Sequence, residues 1–201
     1  MTTTTMKATL LRALGDANWD GISRRVGASE VLSDLRAAHE QLWALEDCAR
    51  STSADDTEIA RVKRAIDREN GRRHRLIDAV DAALNAAVAP YRPATQRSYS
   101  ETLGELCDRL LILDLKIANL QRLARDAALP AAESARCGER HAHQTRWRAH
   151  LQQCLSEQLA DHGTGRARLA PRAEFKLYNE PLLNPVTRAE GEGDGLRKLG
   201  S

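Results

Sequence analysis

Apolar residues recur along this chain at helical spacing. Val31, Leu35, Ala38, Leu42 and Leu45 follow one another at three- and four-residue steps, which is one face of a helix. Ser29 is placed to cap it and Glu30 falls in its first turn, so the spacing predicts a helix over about 29–50. A polar loop, 51–55, follows. Asp55 with Glu58 three residues on matches a capping box, with Asp in place of Ser or Thr. The next stripe is Ile59, Val62, Ile66, Asn70, Arg73, Ile77, Val80, Leu84 and Val88. It predicts a helix over about 56–88, about 50 Å long at 1.5 Å per residue. Pro90 and Pro93 break it.

Ser98 and Glu101 form a second candidate capping box. Leu103, Leu106, Leu110, Leu113, Ile117, Leu120 and Ala124 then make a third stripe, and Leu111, Ile112 and Leu115 extend it around the helix. An element apolar on more than one side is expected to be the most buried. Leu129-Pro130 ends it or opens a fourth helix over about 131–161, with Gln144, Trp147, Leu151, Cys154, Gln158 and Leu159 facing inward. His162-Gly163 is expected to close that helix with a C-terminal glycine. A basic hinge over 163–172 leads to 175–185, where Pro181 and Pro185 exclude a regular helix. Leu10, Leu11 and Leu14 allow a short helix within 1–28.

The fold class is therefore all-α: an antiparallel bundle of four long helices with a proline-containing C-terminal extension. The bundle domain is expected over 29–186 and a disordered tail over 187–201. Composition supports helices over sheets. Only 3% of the 201 residues are aromatic, and Ala, Leu and Arg dominate over β-branched types. Thirty Lys and Arg against 28 Asp and Glu give a formal charge of +2. That balance argues against a nucleic-acid binder. Cys48, Cys107, Cys137 and Cys154 are scattered without a CxxC pair, as expected of reduced thiols. No uninterrupted apolar segment suits a signal peptide or a bilayer span. The expectation is a cytoplasmic protein without membrane contact.

The candidate chemistry lies where the stripes break. Asn70 and Arg73 occupy core-facing positions of the second helix, with Lys63 and Asp67 beside the stripe. Glu46, Asp47 and Arg50 lie near Trp43 on the first helix, and Asp108, Arg109, Asp114 and Lys116 interrupt the leucines of the third. Inward polar groups cost free energy unless satisfied. They are either a hydrogen-bonded network that fixes register or the lining of an inter-helix pocket for an anion.

The segments 42–50 (LWALEDCAR), 62–78 (VKRAIDRENGRRHRLID), 104–117 (GELCDRLLILDLKI) and 175–185 (FKLYNEPLLNP) resemble the bacterial family called domain of unknown function 4254, in the right order. The resemblance implies an all-helical protein whose genes lie beside glycosyltransferase, polysaccharide or natural-product genes. It also implies shared positions at Trp43, Glu46, Asp47, Lys63, Asp67, Asn70, Arg73, Asp108, Arg109, Lys116, Lys176, Tyr178 and Asn179. The chain departs from the family at His74, at Ala44, and over 118–121.

The expected function is binding or transformation of a small anionic or sugar-linked metabolite in biosynthesis. Lys63, Asn70, Arg73, Arg109, Lys116, Lys176, Tyr178 and Asn179 are the candidate ligand-binding residues. Glu46, Asp47, Asp67 and Asp108 are the candidate acid–base groups, with catalysis itself left open. The alternative is a non-catalytic accessory protein that partners a biosynthetic enzyme such as a glycosyltransferase, or itself as a homodimer. A more remote alternative is a helical enzyme resembling chorismate mutase, which needs a cationic cage for a dicarboxylate. His141 and His143 are two residues apart and cannot easily share a ligand. No metal and no cofactor is expected.

Overall fold

The computed structural model describes residues 29–87, 97–167, 180 and 182–189. The possible helix in 1–28, the proline linker before 97, and Lys176, Tyr178 and Asn179 lie outside the described residues. The chain divides into two compact units, Met1–Ala170 and Pro171–Ser201.

In the first unit four long helices follow one another: α1 Ser29–Cys48, α2 Asp56–Ala87, α3 Leu103–Ala124 and α4 Ala131–Gly163. The fold is all-α, and no strand occurs among the described residues. A single bridge pairs Arg97 with Ala167. Helices α2 and α3 start where side chains satisfy their free N–H groups. Asp55 Oδ1 accepts from Glu58 N at 2.7 Å at the head of α2, as its capping pattern predicts. The capping box of α3 is four residues later than expected. Thr102 accepts from Glu105 N, and the Glu105 carboxylate accepts from Thr102 N at 2.7 Å. Ser98 and Glu101 precede the helix. Thr102-Leu-Gly-Glu105 carries the same S/T-x-x-E pattern directly against the first core leucine, so it captures the helix start.

The expected closure of α4 also moves. Gly163 is the last helical residue, and the left-handed position is Gly165, at φ 71°. Arg166 N and Ala167 N turn back onto the Asp161 carbonyl.

The core joins the first half of α1, the second half of α2, the first half of α3 and the second half of α4. Leu35, Ile77, Val80, Leu103, Cys107 and Leu155 are its most enclosed side chains. α3 packs against each of the other three helices, which explains its all-round apolar sequence. Among the described residues α4 packs on α3 and on no other long helix. Trp147, expected on the inner face of α4, is 39% exposed instead. The buried stripe of α4 is Leu151, Leu155 and Leu159, and Trp147 lies a turn beyond its end.

At the α2–α3 crossing the backbones approach closely. A Cβ on Gly104 would lie 2.6 Å from the Ile77 carbonyl oxygen. Gly104 N donates to Asp81 Oδ1 at 2.7 Å. In the second unit, 185–189 form a short helical turn that starts at Pro185, where proline's missing N–H costs nothing. The expected tail from 187 therefore begins within a turn. Among the described residues no helix is long and apolar enough to cross a membrane.

Candidate functional site

The polar breaks in three stripes meet on one carboxylate. Asp108 lies on α3 among the leucines, 6% exposed. His39 of α1, 5% exposed, meets its Oδ1 from Nε2 at 2.9 Å. Arg73 of α2 donates from Nε to the same oxygen at 2.9 Å and from Nη2 to Oδ2 at 3.3 Å. Asn70, one turn earlier on α2, accepts from Arg73 Nη1 at 3.0 Å and fixes the guanidinium. Burial alone would raise the Asp108 carboxyl. The hydrogen bonds from His39 and Arg73, and the arginine charge, outweigh it and hold it below the usual carboxylate range. An ionised carboxylate can only accept, so His39 Nε2 is the donor between the two residues.

Above this network is a cavity of about 420 Å³. α1 contributes His39, Leu42, Trp43, Glu46, Asp47 and Arg50. Asn70 and Arg73 come from α2, and Asp108, Ile112 and Lys116 from α3. The residues recur at i, i+3, i+4 and i+7 on α1 and i, i+4, i+8 on α3, so each helix presents one continuous face. Burial grades along the cavity. His39, Asp108 and Arg73 form the floor, Leu42, Trp43 and Ile112 half-buried walls, and Asp47, Arg50 and Lys116 an exposed rim. Arg50 is engaged with Glu46 at 2.7 Å, one turn away. Asp47 and Lys116 have no ion-pair partner among the described residues.

Of the candidate residues, Glu46, Asp47, Asn70, Arg73, Asp108 and Lys116 come together here. Lys63 and Asp67 do not; both are exposed. At their level Val62 and Ile66 take the inward positions, and the next residue in each case is turned about 100° toward solvent. Arg109 is likewise turned away from the face of Asp108. It pairs with Glu101, and its guanidinium lies 5.9 Å from the Trp147 ring centroid. Asp114 binds Arg148 of α4 and Arg36 of α1 outside the cavity.

The residue that sequence reasoning missed is His39. It follows Ala38, four residues after Leu35 and three before Leu42, so the stripe itself points it inward. Among the described residues no group of three or more His, Cys, Asp or Glu is arranged to hold a metal. His143 and His150 are exposed.

Fold and site together define an all-α protein with a polar cavity between three helices. The chain belongs to the family described as protein of unknown function DUF4254, which it matches over residues 29–170. The match takes in three of the four segments that carry the resemblance; the fourth, 175–185, lies beyond it. No curated protein and no solved structure matches the chain.

Proposed function

We propose that the α1–α2–α3 cavity binds a small anionic or sugar-linked metabolite, and that this is the protein's role in a biosynthetic pathway inside the cell. One observation carries the reading. A cavity of about 420 Å³, within the usual range of small-molecule sites, has a hydrogen-bonded ionic floor, apolar walls and a charged rim. Asp108 and His39 lie at the floor of the cavity, and Trp43 is a half-buried part of its wall. A dicarboxylate cage of the chorismate-mutase kind fits poorly, because Arg73, the one arginine on the cavity floor, is already closed on Asp108 from Nε and Nη2.

The test is a thermal-shift screen of nucleotide sugars, sugar phosphates and carboxylates on the full chain. A guest that binds only the folded state at 100 times its Kd stabilises by about 2.7 kcal/mol. Asn70→Ala should lose that stabilisation, while Asp67→Asn, outside the cavity, should retain it. Equal loss in both variants, or no response to any compound, would defeat the reading.

A second reading, a non-catalytic partner protein, draws on α4. Its 131–150 half has no buried residue, and Trp147 stands exposed there. A monomer in light scattering that captures no partner would exclude it.

A further inference from the structure

His150 and Cys154 stand one turn apart on α4, with the Cys154 Sγ 3.7 Å from His150 Nε2. In a tetrahedral zinc site a thiolate sulfur at about 2.3 Å and an imidazole nitrogen at about 2.0–2.1 Å are themselves about 3.6 Å apart. The two side chains are therefore spaced as neighbouring ligands of one ion. His150 is exposed and Cys154 half-buried, so both are within reach of a metal from solvent. The imidazole is also oriented. Its ring packs on Trp147 with centroids 5.1 Å apart, and the Arg109 guanidinium lies 5.9 Å from the Trp147 ring centroid. Neighbours that fix a ligand ring before the metal arrives lower the cost of binding it.

Two ligands do not complete such a site. A structural zinc takes four, and among the described residues no group of three or more His, Cys, Asp or Glu is arranged for a metal. A two-fold axis supplies the other two, because it repeats the same pair from a second copy. The surface of α4 admits that copy. Over 131–150 the helix has no buried residue, and Trp147 stands 39% exposed beside the pair. Its charges are self-complementary as well. Arg146, His150, Cys154 and Glu157 recur at steps of four, four and three, which is one helical face, and Arg146 and Glu157 are exposed. In an antiparallel crossing centred between His150 and Cys154, each His150 meets Cys154 of the other copy. Each Arg146 then falls within one residue of Glu157 of the other copy, so opposite charges meet twice.

We propose that a zinc ion joins two copies of the chain across α4 in this antiparallel crossing, held by His150 and Cys154 of each copy in a tetrahedron of two thiolates and two imidazoles. Each thiol gives its proton to solvent as it binds, two protons per ion. Four protein ligands close the coordination shell, so the metal links the chains and holds no reactive water. α4 contributes no residue to the α1–α2–α3 cavity, and the zinc site stands independently of any guest there.

The experiment is sedimentation velocity of the full chain, stripped with a chelator and kept reduced by a phosphine, before and after zinc chloride is added. The stripped chain should run as a monomer, and zinc should convert it to a dimer that holds one ion per two chains. Cobalt(II) in place of zinc should show the visible bands of a tetrahedral ion with thiolate ligands. Cys154→Ser and His150→Ala should each weaken zinc binding about tenfold or more and leave the chain monomeric, with helicity unchanged. Cys137→Ser removes the other cysteine with a histidine four residues on, His141, and should leave both readouts intact. Arg146→Glu should weaken the zinc-bound dimer about threefold, and adding Glu157→Arg to the same chain should restore it. Zinc bound to a monomer at one ion per chain, a dimer that forms equally in chelator, or zinc affinity unchanged in Cys154→Ser overturns the proposal. A chain that binds no zinc overturns it too, and a dimer unaffected by Arg146→Glu overturns the antiparallel crossing.

Discussion

Asp108 shows how a buried charge is tolerated in a leucine-rich helix. A carboxylate is costly away from water, and here three N–H groups from two other helices hold it. Removing one partner is expected to be worse than never having had the pair. Arg73→Met should therefore cost on the order of 3 kcal/mol in urea unfolding followed by helicity. The double variant Arg73→Met with Asp108→Leu should recover part of that loss. A single-variant cost below about 1 kcal/mol would show that water already shares the carboxylate. The partners were only partly legible in the sequence. Asn70 and Arg73 announced themselves because they replace apolar residues in a regular stripe. His39 did not, because histidine at the edge of a stripe reads equally as packing and as chemistry. Lys63 and Asp67 look as inward as Asn70 from spacing alone. Which of them turns to the cavity is decided by where α1 and α3 lie against α2, and periodicity within one helix contains no such information.

At the scale of elements, the long-range plan came through and the ends did not. Four helices, their order and the dominance of α3 follow from apolar spacing, since burial of a stripe has few solutions. The start of α3 moved by one capping box because two candidate boxes lie four residues apart and only one adjoins the core. Thr102→Ala should cost about 1 kcal/mol, and Ser98→Ala close to nothing; a larger loss at Ser98 would return the start of α3 to its first candidate. Two residues on, Gly104 fixes the crossing of α2 and α3. An added methyl would meet the Ile77 carbonyl at 2.6 Å and the Asp81 carboxyl carbon at 2.9 Å, and helix backbone cannot give way as a flexible side chain can. Gly104→Ala should cost about 1–3 kcal/mol or more, although alanine is the better helix former by about 1 kcal/mol. Net stabilisation would mean that the two helices are not held at this distance. The glycine was visible in the sequence, but a helical glycine is silent about which neighbour comes close.

Across the whole molecule the titratable groups make stability depend on pH with opposing signs. His162, at the end of α4, is almost fully buried, and its Nδ1 has no hydrogen-bond partner among the described residues. Burial pushes its pKa down, against the pull of the Asp161 carboxylate and of a hydrogen bond with the Ala167 backbone. The folded state thus favours the neutral ring. The stability this contributes is complete above the unfolded value of about 6.5 and is lost as pH falls from there toward the lower folded value. Asp161 is held below the usual carboxylate range, chiefly by the Tyr99 hydroxyl at 2.8 Å and by Arg97 and Arg166 against a penalty from burial. Asp108 is lowered as well. Their contribution persists above about 3.9 and disappears only as pH falls through their lower folded values. Asp81 runs the other way. Its burial outweighs the hydrogen bonds from Thr102 and Gly104 and raises its pKa, so the fold gains as that carboxyl takes up a proton. The groups act in sequence as the solution is acidified, with His162 first. Melting temperature should decline between pH 7.5 and 5.5 in the native chain, and His162→Gln, which cannot charge, should flatten that decline while leaving the steeper loss below pH 4. Parallel curves for the two proteins would refute the assignment and place the first acid-sensitive group elsewhere in the fold.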